Sequence, residues 1–131
     1  MRLALTLVIL VARCLTVTGQ HSIDSLETLL KKTRNDSVRI IILNTLNAYY
    51  YDTNPDRFAE LSQEAVRLVG TTTRKESVVV AYLNWASAEE VRGNYDSSIL
   101  YNQKALVIYE QMNDSLGMYA ALNNLGITYM Q

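Results

Sequence analysis

The sequence predicts an all-α protein: antiparallel helical hairpins stacked as a solenoid with a 40-residue period, breaking off within a third repeat. Three observations predict it. Apolar residues recur at helical spacing from His21 onward. Turn signals, Asn54-Pro55 and Gly93-Asn94, separate the periodic runs. A shift of 40 residues brings the chain onto itself, aligning Asn44, Asn84 and Asn124, Ala81 with Ala121, and Ala65 with Ala105. Self-similarity at such a period marks stacked supersecondary units, each covering an apolar face of the next.

The leader comes first. Met1-Arg2 precedes ten uncharged residues, Leu3 to Ala12, and Val17 and Gly19 are small residues before polar Gln20. A positive start, a short apolar run and a small-residue cut site predict a secretory signal peptide over residues 1–19. The run falls short of the about 20 residues a membrane helix needs. An uncleaved anchor is the alternative reading. Lipidation at Cys14 is disfavoured because Arg13 stands where such a signal has a small residue. The mature chain is therefore expected outside the cytoplasm, secreted or periplasmic, touching membrane only through this leader or a downstream segment.

A lead-in helix is expected over 20–35, with Ile23, Leu26, Leu29 and Leu30 apolar and Ser22 or Asp24 as cap. The first repeat is placed at 36–73. Its first helix runs from Val38 to Tyr51, capped by Asp36 or Ser37, with Val38, Ile41, Ile42, Leu46 and Tyr49 as the buried stripe. Pro55 opens the second helix, whose stripe is Phe58, Leu61, Ala65, Val66 and Leu68, with Gly70 as its stop. The second repeat, 74–113, has a first helix with Val78, Ala81, Tyr82, Trp85 and Ala88 along one side. Gly93 then supplies a left-handed exit, and Tyr95 to Gln111 forms the partner helix with Ile99, Ala105, Leu106 and Ile108 apolar. The third repeat, 114–131, is incomplete. Leu46, Ala86 and Gly126 align as small-to-medium residues expected to let paired helices approach closely. Trp85 and Tyr82 are expected to be core wedges.

Composition narrows the function. Net charge is −1 over 131 residues, and −3 without the leader, so no basic face for nucleic acid is indicated. One cysteine and one histidine exclude an internal disulfide and a His-rich metal site. There is no Gly-rich phosphate loop, HExxH or Gly-x-Ser-x-Gly motif, and Glu89-Glu90 are adjacent on a helix and point to different sides. The chain is expected to be non-catalytic, with no cofactor and no metal. Its expected partner is a protein or peptide.

Gly93-Asn94-Tyr95-Asp96 with Ala105-Leu106, then Leu122-Asn123-Asn124-Leu125-Gly126 with Tyr129, resemble the tetratricopeptide repeat. The likeness covers residues 36–131. It departs from the family in its longer period, in Glu89 where the next copy has Tyr129, and in Ser98 where Ala is usual. The resemblance implies a right-handed stack whose first helices line a peptide-binding groove. On that basis Asn44, Asn84 and Asn124 form an expected ladder of peptide-reading amides, with Ser87, Val80 and Val91 as neighbours. The alternative is that each amide bonds a neighbouring helix and sets register. The leader, the lead-in helix and the 40-residue period also resemble the extracytoplasmic repeat region of Bacteroidetes-type sensor histidine kinases or regulators. That resemblance implies a scaffold or sensor input, with any kinase or DNA-binding output downstream of Gln131.

Overall fold

The computed structural model describes residues 19–131, so the expected signal peptide lies outside the described residues except for Gly19. Every regular element among them is helical. The chain divides into two compact units, residues 1–32 and 33–131.

In the first unit a helix, α1, covers 19–32. Ile23 and Leu30 are its buried side chains, and Leu29 is exposed. Ser25 and Thr28 turn their hydroxyls back onto the carbonyls of His21 and Asp24. The helix ends at Lys32, and the polar residues 33–35 carry no regular structure.

The second unit contains α2 (Asp36–Thr53), α3 (Pro55–Arg67), a 3₁₀ turn (Val69–Thr71), α4 (Lys75–Val91), α5 (Tyr95–Met112) and α6 (Ser115–Tyr129). Each helix packs against the next, and α2 also lies against α4. α3 and α5 begin 40 residues apart, at Pro55 and Tyr95, as do α4 and α6, at Lys75 and Ser115. These starts match the offset read in the sequence; α2 begins 39 residues before α4.

The helix ends follow from local chemistry. Asn35, rather than Asp36 or Ser37, caps α2, its side-chain oxygen accepting from Val38 N at 3.2 Å. Asn54 closes α2 and caps α3, accepting from Arg57 N at 3.0 Å, while Pro55 occupies the first turn, where its missing N–H costs nothing. Asp114 caps α6 through Gly117 N at 3.0 Å. α4 and α5 end alike: a residue at positive φ, Gly93 (77°) or Asn113 (53°), turns the chain back. The N–H groups of Asn94 and Asp114 then return to the carbonyls of Glu89 and Tyr109, at 2.9 and 3.0 Å. Gly70 plays no such part. α3 stops at Arg67, and Gly70 sits inside the 3₁₀ turn, which Thr71 Oγ1 closes onto Leu68 O at 2.6 Å.

Burial corrects one expected stripe. α2 buries Ile40, Ile42, Leu43, Leu46 and Asn47, whereas Val38, Ile41 and Tyr49 are exposed. Two helices face α2, so its covered arc is broad, and the run Ile40-Ile41-Ile42 offers an apolar residue in several directions. The other stripes fare better. Phe58, Leu61 and Ala65 of α3 and Ala81, Trp85 and Ala88 of α4 are buried. One core cluster joins Phe58 and Ala59 to Trp85 and Ala88, with Tyr50, Val66 and Tyr101 packed around it. Tyr101 stands edge-on to Trp85 at 6.5 Å between centroids and lies 5.6 Å from Tyr82. Lys104 Nζ caps the Tyr101 ring at 4.8 Å.

The small-residue positions divide. Leu46 and Ala86 are buried, but Gly126 is exposed, with no atom within 4 Å of where a Cβ would stand.

Candidate functional site

Three clefts receive candidate site residues named from the sequence. The first lies between α2 and the start of α4. Ile41, Asn44 and Thr45 form one wall, and Arg74, Glu76, Ser77 and Val80 the other, around a space of about 260 Å³. Ile41, Thr45 and Val80 are exposed, which a helix face shielded by its own fold would not leave. Arg74 and Glu76, both exposed, place opposite charges at one end. The first helices of two successive hairpins thus present apolar side chains with polar groups beside them.

Asn44 is already engaged at this cleft. Its Nδ2 donates to Ser77 O at 2.9 Å, tying α2 to the first turn of α4, and its Oδ1 is shielded from solvent. Ser37, one helical stretch earlier, makes a similar tie by donating to Thr71 O at 2.9 Å. Asn124 is half-buried, and its Nδ2 lies 3.5 Å from Asn102 Oδ1, while Asn102 in turn donates to Ser98 O at 3.1 Å. Asn84 is half-buried on α4. The three aligned amides therefore occupy different environments, two of them bonded within the fold.

Ser87 and Val91 fall on a separate open cleft of about 380 Å³, with Tyr51, Glu90, Tyr95 and Gln131. Tyr51 and Val91, both exposed, also border a neighbouring cleft of about 310 Å³ floored by Phe58 and Ala88, where Asp52, Asp56 and Arg92 supply charge. Of the expected site residues, the structure thus brings Asn44 together with Val80, and Ser87 with Val91, in two places.

The packing gives two polar residues roles that the sequence does not show. Glu89 is buried, its carboxylate 3.4 Å from Arg92 Nη1 and 3.4 Å from Asn94 Nδ2, so it holds the turn between the paired helices α4 and α5. Asn47 is fully buried, and neither of its amide atoms has a hydrogen-bond partner. Glu90, next to Glu89, and Asn44, one turn before Asn47, are only half-buried, so residue type does not single the two out; packing does. Tyr82 and Tyr109 hold their phenol protons more tightly than an ordinary tyrosine. Burial is the main cause for both, helped by Tyr101 beside Tyr82 and by the Asp114 carboxylate beside Tyr109.

Among the described residues no three His, Cys, Asp or Glu side chains gather as a metal site. Among the same residues no helix is long and apolar enough to cross a membrane. No family model matches the sequence, and a search of curated proteins finds no match.

Proposed function

We propose that residues 36–131 form a tetratricopeptide-like solenoid that binds a protein or extended peptide and does no chemistry of its own. The supporting observation is the cleft between α2 and α4. Ile41 and Val80 stand exposed on opposite walls, beside Thr45 and the charged pair Arg74 and Glu76. An apolar strip flanked by a few polar groups suits a peptide with alternating apolar side chains. Pairing of successive helices, the α2–α4 contact and the 40-residue offset support the repeat reading. The leader supports an extracytoplasmic place, and with it a role as scaffold or sensor input.

Within this reading Asn44 sets the spacing of two hairpins, because its donor is committed to Ser77 O. Asn84 lines none of these clefts, but it is the one of the three whose side-chain amide makes no hydrogen bond among the described residues and so could turn to a ligand. Asn124 would first have to leave Asn102.

A displayed random-peptide library, selected on the immobilised chain, tests the proposal. Binders are expected to lose at least about tenfold in affinity on Ile41→Glu or Val80→Glu, with helical circular dichroism unchanged. Asn84→Ala is expected to weaken them less, and Asn44→Ala to lower the melting temperature. Selected peptides that bind Ile41→Glu and Val80→Glu chains as tightly as the parent would refute a groove here.

A further inference from the structure

The pairing of α2 with α4 leaves a cleft at each end. At the first, Ile41, Asn44 and Thr45 face Ser77 and Val80; at the second, Tyr51 and Asp52 face Ala88, Val91 and Arg92. Residue numbers rise on both helices from the first cleft to the second, so α2 and α4 run side by side in the same direction. At 3.6 residues per turn, Ile41, Thr45, Ala48 and Asp52 share one arc of α2. Val80, Asn84, Ser87 and Val91, with the same spacing, share one arc of α4. The second cleft therefore lies in line with the first, about 15 Å further along.

Its chemistry is different. Phe58 and Ala88 form a buried apolar floor beneath Tyr51, Pro55 and Val91, and Tyr51 stands edge-on to Phe58 at 5.3 Å between centroids. Asp52 and Asp56 border this space, and among the described residues neither carboxylate has a hydrogen bond or ion pair. Arg92 does not neutralise them. Its guanidinium reaches Glu89 at 3.4 Å and lies 5.6 Å from the centre of the Trp85 ring, so its charge is already answered. Asp56 has a local reason to be there, because an acid in the first turn of α3 suits the helix dipole. Asp52 has none. It lies in the last turn of α2, where the dipole opposes a carboxylate and no basic residue stands beside it. Forty residues on, Asp52 and Phe58 give way to Arg92 and Ser98, so the pocket belongs to this junction and is not a product of the repeat.

We propose that this pocket seats a lysine or arginine side chain of the bound peptide, an inference that rests on the groove reading above. The aliphatic stem covers Phe58, Ala88 and Val91, the Tyr51 ring flanks it, and the charge meets Asp52 and Asp56. An extended peptide rises about 3.3 Å per residue. The basic residue therefore stands about four to five positions from the apolar residue held between Ile41 and Val80. Asn84 falls between the two seats.

N-acetyl-arginine amide probes the pocket without the rest of a peptide. Titrated at millimolar concentration into the isotope-labelled full chain, it is expected to shift the backbone amide resonances of Ala88, Val91 and Arg92 and to saturate. N-acetyl-citrulline amide, its uncharged isostere, is expected to bind at least about fivefold more weakly. Asp52→Asn combined with Asp56→Asn should weaken the arginine probe to the same degree with helical content unchanged. Glu110→Gln, which removes an exposed acid from α5, should not. In the random-peptide selection, binders are expected to carry Lys or Arg about four to five positions from an apolar residue, and to lose that bias on the doubly substituted chain. Arginine and citrulline probes that bind alike, or no shift at the pocket, overturn the inference and leave the groove standing. Peptides that depend on Ile41 and Val80 without a basic residue overturn it too. A saturable arginine site with no peptide dependent on Ile41 or Val80 keeps the pocket's preference for a cation and refutes the groove instead.

Discussion

The ring of Tyr109, near the end of α5, lies against Gly117 in the first turn of α6. A Cβ added at Gly117 would stand 2.6 Å from Tyr109 Cγ, and closer still to two further ring carbons. The aligned residue in the previous repeat is Ser77, which opens α4 with room for a side chain. Gly117 is thus held by contact and not by backbone geometry: the α5–α6 turn depends on a tyrosine resting where a side chain would be. In an open helix Gly→Ala would gain about 1 kcal/mol. Here the added methyl pushes on the root of a ring that must swing away bodily. Gly117→Ala is expected to destabilise the chain by about 1–3 kcal/mol, lowering its melting temperature by several degrees. Tyr109→Ala made together with Gly117→Ala should recover part of the loss, which a double-mutant cycle in thermal denaturation measures. An additive cycle would show that the two residues do not contend for the same space.

Asn47 offers the opposite sign. Its amide is fully buried in α2 with both polar atoms unpaired. Burying an amide without a partner costs about 1–3 kcal/mol, and a leucine of similar shape carries no such penalty. Its buried α2 neighbours Leu43 and Leu46 make an apolar setting. Asn47→Leu is therefore expected to raise the melting temperature by several degrees with no change in helical content. A lower melting temperature would mean that the amide holds a partner of its own, such as an enclosed water.

Asn47 also marks where the sequence stopped being legible. Helix existence, order and spacing follow from apolar periodicity and from Asn54-Pro55 and Gly93, because a helix and its punctuation are local. Which arc of α2 is buried is not local. It depends on α3 and α4 arriving together, and Ile40-Ile41-Ile42 fits more than one orientation. Hence Ile41 and Val38, expected inside, stand outside, and Ile41 becomes a cleft wall. The same limit applies to the amides. Alignment identified Asn44, Asn84 and Asn124 as equivalent, yet Asn44 bonds the next hairpin's backbone and Asn124 bonds Asn102. Equivalence in a repeat fixes position on a helix, while the partner at that position changes with each copy. Asn113 at the end of α5 was open to reading: asparagine tolerates the left-handed conformation that Gly93 adopts one turn-motif earlier.

Tyr82 and Tyr109 give the fold a definite response to alkali. Burial raises both phenols above the ordinary tyrosine value, and Tyr101 and Asp114 add smaller contributions in the same direction. A group whose folded pKa is raised binds its proton more tightly in the folded state than in the unfolded one. Its contribution to stability is complete below the unfolded tyrosine pKa of about 10 and is lost as pH rises through the folded value. The chain is therefore expected to keep a flat melting temperature through neutral pH on account of these two groups and to weaken above about pH 10. Spectrophotometric titration of phenolate absorbance should show late steps from Tyr82 and Tyr109. Tyr109→Phe should remove one late step and soften the alkaline fall. A titration with no step above the ordinary tyrosine value would show that neither ring is shielded as the packing requires.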